Sequence, residues 1–253
     1  MIPEDHPRYH SLLSREKIVN AHKSGILADA GMIAHGRGES FDYLIGEKTS
    51  EVAERAAESA AAALILADNP VLSINGNATA LVSSEIVKLA QILNAKIEIN
   101  LFYRTPERVD AILKVLNKAG ANDVLGTNSE QQEHIEGLSH PRGDVSPEGI
   151  YKADVILVPL EDGDRTEALI KEGKFVIAID LNPLSRTSKT ASITIVDNIT
   201  RSLPCIIKKV ETLKNRDPEE LKRIVNNFNN TKNLRKSLKM MLNSLDKFEN
   251  TND

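Results

Sequence analysis

Apolar residues along this chain recur at two periods, one helical and one in short unbroken runs, and the alternation between them lays out the elements. Leu12, Leu13, Ile18 and Val19 fall at helical spacing and predict an opening helix over 9–22, ending near Gly25, with Arg15 on its polar side. Gly25 to Gly46 reads as a glycine-punctuated loop region. A helix then starts at Thr49 or Ser50 and runs through the alanine-dense 53–67, whose small side chains suit close approach to a sheet. Apolar runs at 71–74, 96–100, 154–159, 175–179 and 192–196 predict buried strands. Helical patterns separate them. Ile86, Leu89, Ala90 and Leu93 follow a cap at Ser83 or Ser84, and Val109, Ile112, Leu113 and Leu116 follow the start signal Thr105-Pro106-Glu107. Asp164 with Glu167 resembles a capping box for a short helix ending at Gly173, and Leu203, Ile206, Ile207 and Val210 form a stripe after Asn198.

Strands spaced by helices imply an α/β fold with a mostly parallel sheet and right-handed crossovers. Residues 126–150 read as an irregular excursion, which in a compact domain is usually functional or mobile. From Asp217 onward the pattern is helical, carried by Leu221, Ile224, Val225 and Phe228 and then Leu234, Leu238, Met241, Leu242 and Leu245. This tail needs an apolar surface from its own domain or from a second subunit. The expected division is one nucleotide-binding domain over 1–213 and a helical extension over 214–253.

With 41% hydrophobic and 27% charged residues, the 253-residue chain has the make-up of an ordinary soluble globule. Its net charge of −4 gives no electrostatic reason to expect nucleic acid, so any phosphate must be held by local arginine clusters. No run approaches the ~20 apolar residues of a membrane span, and Met1-Ile2-Pro3-Glu4-Asp5-His6 lacks the basic-then-apolar order of a secretory signal. A cytoplasmic protein without a membrane partner is the expectation. Its one cysteine, Cys205, precludes an internal disulfide and reads as helix packing. His6, His10, His22, His134 and His140 show no metal-ligand spacing, and no metal ligand is assigned.

Familiar catalytic signatures are missing. Gly46-Glu47-Lys48-Thr49 is not a phosphate-cradling loop of the Gly-Lys-Ser/Thr type, and Gly36-Arg37-Gly38 lacks the third glycine of the dinucleotide fingerprint. What remains is a set of polar residues at predicted carboxyl ends of strands: Asn75-Gly76-Asn77, Tyr103-Arg104, Glu161-Asp162 with Asp164-Arg165, and the turn Asp180 to Thr187. In a parallel sheet these ends share one edge, so four separated loops converge on one crevice. Each also has a plain reading, as a turn or a surface charge. Arg37, between two glycines, reads as an anion contact beside approachable amides, or as a solvated charge. His35 reads as an acid–base group or as a loop histidine bonded to a carbonyl.

Taken as a whole, the segments 29–39 (DAGMIAHGRGE), 41–47 (FDYLIGE), 74–77 (INGN), 100–105 (NLFYRT), 158–168 (VPLEDGDRTEA) and 179–187 (IDLNPLSRT) resemble the archaeal phosphopantothenate synthetase family, also called 4-phosphopantoate–β-alanine ligase. The resemblance runs from Ile2 to about Val210. It implies a Rossmann-like homodimer that joins 4-phosphopantoate to β-alanine with ATP and Mg²⁺, releasing AMP and pyrophosphate through an acyl-adenylate, on the route to coenzyme A. By matching positions it implies ATP contacts at Arg15, Arg37, Asp180, Leu181, Asn182, Arg186, Thr187, Asn198 and Ile199.

Within that frame Arg37 and Arg186 would stabilise charge on the α-phosphate, and Asp180 would hold the ribose or adenine side. Asn75, Gly76, Asn77 and Arg104 would take the substrate phosphate, with Tyr103 beside them. Glu161 or Asp162 would anchor the metal or the β-alanine ammonium, and His35 is the candidate base. Two alternatives use the same residues: a phosphotransferase acting on a small acid, which would leave ADP, and a nucleotide-sensing module that consumes nothing.

Overall fold

In a computed structural model, residues 2–129, 131–159 and 162–244 are described. The chain runs α1 (Tyr9–Lys23), α2 (Asp29–Ile45), α3 (Glu51–Leu66), β1 (Pro70–Ile74), α4 (Gly76–Leu93), β2 (Lys96–Ile99), α5 (Pro106–Lys118) and β3 (Val124–Leu125). The excursion holds β4 (Glu133–His134), a 3₁₀ turn, β5 (Asp144–Val145) and the turn Pro147–Tyr151. Then come β6 (Val155–Pro159), α6 (Gly163–Lys171), β7 (Phe175–Ile179), α7 (Arg186–Thr190), β8 (Ile193–Ile195), α8 (Ile199–Leu213), α9 (Pro218–Asn226) and α10 (Asn230–Asn243).

Six strands pair in parallel in the order β3-β2-β1-β6-β7-β8. This is a Rossmann-like winding: the chain moves outward from β1 to β3, returns through the excursion, and moves outward again from β6 to β8. The order reverses between β1 and β6, where an open α/β sheet forms its ligand crevice. Both faces of the sheet are buried. Ile74, Ile97, Leu157 and Ile177 join the alanine face of α3 and the stripes of α4 and α8, while Val71, Ile156, Val176 and Ala178 face α6 and the excursion.

Three helix assignments differ from the sequence expectation. Gly25 to Gly46 is not a loop: Asp29–Ile45 is helical through Gly36 and Gly38, and Gly46 ends it in the left-handed region with φ of 81°. Each interior glycine costs roughly 0.5–1 kcal/mol, so propensity alone argues against this helix. Tertiary contacts outweigh it, because Asn77 Nδ2 donates to the Gly31 carbonyl at 3.0 Å and buried Asp42 receives the Arg201 guanidinium. The amides beside Arg37 therefore lie inside a helix, and the open nest expected from the two flanking glycines does not form.

Helix α4 begins at Asn75, whose Oδ1 accepts from the Ala78 amide at 3.0 Å, and not at Ser83 or Ser84. The serines follow a kink at Val82 (φ −143°, ψ 30°), which is why they look like a start signal. The Asp164–Glu167 capping box is also absent. Asp162 takes the cap position but its side chain makes no capping hydrogen bond to the helix, while Asp164 and Glu167 face Arg186 at 3.6 Å and 3.1 Å.

The tail finds its surface within the same chain. Leu221, Leu234 and Met241 are buried, α9 lies on α3, and Asn230 and Asn233 stitch α10 to edge strand β8. Asn230 Oδ1 accepts the Thr194 amide at 2.9 Å and Asn233 Nδ2 donates to the Thr194 carbonyl at 2.8 Å. These bonds occupy groups that an open sheet edge would expose. Leu245 of the expected stripe lies outside the described residues.

Candidate functional site

The crevice at the β1/β6 switch point is built from the ends of three strands, β1, β2 and β6, with α2 lying across its mouth, and the turn after β7 lines a separate cavity. Asn75 follows β1 and bridges the switch point directly, its Nδ2 donating to the Pro159 carbonyl at the end of β6 at 3.1 Å. Its other amide atom caps α4, so the first amides of that helix, Gly76 and Asn77, face the opening with no acceptor among the described residues. A cleft of about 260 Å³ opens here, lined by Arg37, Asn75, Gly76, Asn77, Tyr103, Arg108, Arg142 and Asp162 among others. Of the residues expected to bind substrate, Asn75, Gly76, Asn77, Tyr103 and Asp162 come together in it. Glu161 lies outside the described residues.

Arg104 does not join them. Its Nη2 donates to the Gly126 and Thr127 carbonyls at 3.0 and 3.1 Å, tying down the start of the excursion. Two other arginines occupy the cleft. Arg142 is only 4% exposed, with Nε on Asn100 Oδ1 at 3.0 Å and Nη1 on Asp162 Oδ2 at 2.7 Å. Arg108, one helical turn beyond Arg104, donates to the carbonyls of Tyr103 and Ile26. Neither was singled out from sequence. Arg108 was hidden behind the helix-start signal Thr105-Pro106-Glu107, and Arg142 sits in His140-Pro141-Arg142-Gly143, inside the excursion read as irregular.

On the other side of α2 a second cleft, of about 420 Å³, is lined by α1, α2 and the start of α8, and includes His35, Glu39, Asp42, Asn198 and Arg201. A narrow cavity beside it brings His35 together with Leu181, Asn198 and Ile199. Ala34 lines both this cavity and the cationic cleft, so the two are separated only by the thickness of the helix. Four of the expected site residues thus meet on this side.

The turn after β7 is organised by Asp180. Its carboxylate accepts from the Asn182 amide at 2.9 Å and from the Ser185 hydroxyl, and Ser185 Oγ caps α7. Burial pushes the Asp180 carboxyl up, opposed by the Ser185 and Asn182 hydrogen bonds and by the nearby positive charge of Arg37. Arg37 makes no ion pair among the described residues, and α2 meets the turn through apolar packing of Ile45 and Phe41 with Leu181. Arg186 leads α7 and leans on Asp164 and Glu167, and Thr187 is buried behind it. Arg15 sits further out on α1, with Nε on Glu39 Oε1 at 2.7 Å and Nη2 on the Tyr43 hydroxyl at 3.1 Å. Burial alone would raise the Glu39 carboxyl; hydrogen bonds from Arg15 and Ser11 outweigh it and hold the group below the usual range.

His35 is on α2 and not on a loop. Burial lowers its pKa, with smaller and opposing effects from Glu39, Arg15 and Asp42, and its Nε2 is buried without a hydrogen-bond partner. No carbonyl accepts a hydrogen bond from either ring nitrogen of His35 among the described residues. Asn198 is set by a buried ion network: its Nδ2 donates to Asp42 Oδ2 at 2.9 Å, and Arg201 bridges Asp42 and Asp197 at 2.5 Å each. Thr49 Oγ1 adds a bond to Asp197 at 2.6 Å. This network was not visible in the sequence, because it joins Asp42 and Thr49 to residues more than 140 positions further along the chain.

Comparison with known proteins agrees with this architecture. The family model described as phosphopantothenate/pantothenate synthetase matches residues 52–244. A 4-phosphopantoate–β-alanine ligase of Thermococcus kodakarensis is 55% identical over 234 residues, covering 92% of this chain and 89% of that protein. The ligase of the same name from Methanosarcina mazei is 54% identical over 94% of this chain and 92% of its own length. That of Methanospirillum hungatei is 48% identical over 97% of this chain and all of its own. With a family match across most of its length and relatives near half identity end to end, the chain belongs to the phosphopantothenate/pantothenate synthetase family.

Proposed function

We propose that this protein is a 4-phosphopantoate–β-alanine ligase that uses ATP and releases AMP and pyrophosphate. The observation that carries the reading is the cationic cleft at the switch point, set one helix-width from the Leu181–Asn198 cavity, in a chain about half identical to ligases of that name. A carboxylate is a poor acyl donor, so the reaction first makes a mixed anhydride. The pantoate carboxylate oxygen attacks the α-phosphorus, the bond to the β-phosphate oxygen breaks, and pyrophosphate leaves. The β-alanine amine then attacks the acyl carbon, AMP leaves, and the amine's proton passes to a base.

In this reading the nucleotide lies against Leu181, Asn198 and Ile199, with Asp180 shaping the turn and Asn182 and Thr187 completing it. Its phosphates reach Arg37, Arg186 and, after exchange with Glu39, Arg15. Guanidiniums held in place before reaction stabilise the charge that builds on phosphorus without reorganising. His35, kept neutral by burial, takes the proton from the amine. Mg²⁺ would screen the triphosphate; it binds through substrate phosphates and one or two carboxylates, and Asp162 at the cleft rim fits that part. A homodimer belongs to the reading as well: Ile33 (65% exposed) and Leu44 stand on one outer face of α2. No helix among the described residues is long and apolar enough to cross a membrane, as suits an enzyme of small charged metabolites.

The test is incubation with ATP, Mg²⁺, 4-phosphopantoate and β-alanine, followed by identification of the adenine product. AMP with pyrophosphate supports the ligase. ADP would make the protein a phosphotransferase, and bound but unconsumed ATP would make it a sensor.

A further inference from the structure

Asp162, Gly163 and Asp164 open α6 between the cationic cleft and the turn after β7. Arg186 lies directly on them. A Cβ at Gly163 would come within 2.6 Å of Arg186 Nε and 2.7 Å of its Cβ, so the arginine stem fills the space that any other residue at 163 would need. Two acids of the same helix then hold the guanidinium, with Glu167 Oε1 at 3.1 Å from Nε and Asp164 Oδ1 at 3.6 Å from Nη2. Burial would raise the Asp164 carboxyl; the first backbone amides of α6 and the neighbouring His140 outweigh it and hold the group below its usual range. With the Arg186 side chain 58% exposed, packing in the core does not set its direction; these acids and the glycine do.

The same turn holds the excursion. His140 Nε2 donates to Asp164 Oδ2 at 3.2 Å, since an ionised carboxylate can only accept, and Arg142 Nη1 donates to Asp162 Oδ2 at 2.7 Å. The His140 ring packs on Phe102 with centroids 5.2 Å apart, and Phe102 and Arg142 both line the cleft. Asp164 is thus shared, one oxygen toward the arginine of α7 and the other toward the wall of the cleft. In the first step of the ligase reaction a carboxylate oxygen must stand in line with the α-phosphorus, and small displacements of the groups that orient the two reactants are costly in rate.

We propose that Asp164 is a positioning residue: together with Gly163 it aims Arg186 at the α-phosphate and, through His140, fixes that arginine relative to the cationic cleft. This rests on the ligase reading. Asp164 itself touches neither reactant and acts only through the arginine.

The test is steady-state AMP formation by the full-length protein, together with exchange of pyrophosphate into ATP in the presence of 4-phosphopantoate and without β-alanine, which reads the first step alone. Asp164→Asn keeps the shape of the side chain and removes its charge. It should lower kcat and the exchange rate on the order of 10-fold while KM for β-alanine is unmoved. The urea midpoint should stay near that of the wild type, because a half-exposed ion pair adds little stability. Asp164→Glu, which keeps the charge on a longer stem, should recover part of the loss. In an Arg186→Gln background Asp164→Asn should cost nothing further, since residues that act as one are not additive. Gly163→Ala leaves every charge in place and displaces Arg186 by contact alone; the same loss is expected from it, and it carries the test if D164N does not fold. Losses that multiply in the double variant, full exchange in folded D164N, or full exchange in G163A where D164N does not fold, remove Asp164 from the mechanism and leave the ligase reading standing. A wild type that forms no AMP overturns both.

Discussion

Asn77 and Gly31 are joined by a 3.0 Å hydrogen bond from the asparagine Nδ2 to the glycine carbonyl, and this bond lays α2 against the start of α4 at the mouth of the crevice. The approach leaves no room for a side chain. A Cβ on Gly31 would stand 2.4 Å from Leu27 Cδ1 and 2.7 Å from Asn77 Oδ1. Gly31→Ala is therefore expected to lower stability by about 1–3 kcal/mol, the usual cost of overpacking, and to raise KM for the acid more than for ATP. Denaturant titration and steady-state kinetics check it; wild-type values in both would show that α2 is not held by this contact.

Asp180 serves the fold before it serves any ligand. Asp180→Ala removes the acceptor of the Asn182 amide and the Ser185 hydroxyl, so the turn that carries Arg186 and Thr187 loosens. The expected outcome is a loss of about 1–3 kcal/mol, as for a hydrogen-bonded group stripped of its buried partner, together with a raised KM for ATP. An unchanged ATP requirement would mean that this turn does not meet the nucleotide.

The bridge from Arg201 to Asp42 and Asp197 is expected to be among the costliest contacts to break. Arg201→Ala leaves two buried carboxylates facing each other, and breaking a buried pair from one side costs about 3–5 kcal/mol. Arg201→Lys keeps the charge but cannot fork between both acids, so it should fall between. Chemical denaturation of the three proteins decides; a loss below 1 kcal/mol in the alanine variant, roughly a surface ion pair's worth, would remove the network from the account of how Asn198 is placed.

His35 gives the protein an acid-sensitive element. Because burial depresses its folded pKa, the unfolded chain binds the proton first as pH falls through the ordinary histidine value of about 6.5. Stability contributed at neutral pH is then lost progressively below that point, down to the depressed folded value. His35→Gln should abolish this component, so the stability gap between wild type and variant should shift in the variant's favour between about pH 7 and pH 5. Thermal melts across that range test it, and a gap that does not vary with pH would contradict the burial argument.

Five of the six sheet strands, their order of appearance and the carboxyl-edge placement of Asn75, Tyr103, Asp162 and Asp180 were legible in the sequence, because unbroken apolar runs between helical stripes admit little but a parallel α/β sheet, whereas β3, only Val124–Leu125, is too short to show such a run. Local chemistry also identified the caps at Ser50, Thr105 and Asn198, whose side chains accept amides two or three residues on. The family was legible too, through long ordered motifs. What the sequence could not decide was every feature whose stability comes from distant residues. Gly36 and Gly38 argue locally against a helix, and contacts from distant residues such as Arg15, Asn77 and Arg201 hold α2 in one. Whether Arg104 or Arg108 enters the cleft depends on the carbonyls of Gly126 and Thr127, which claim the first and leave the second at the opening. Local pattern determines elements because period and capping act within a few residues; tertiary structure determined the site because its charges are placed by partners that meet only once the sheet has formed.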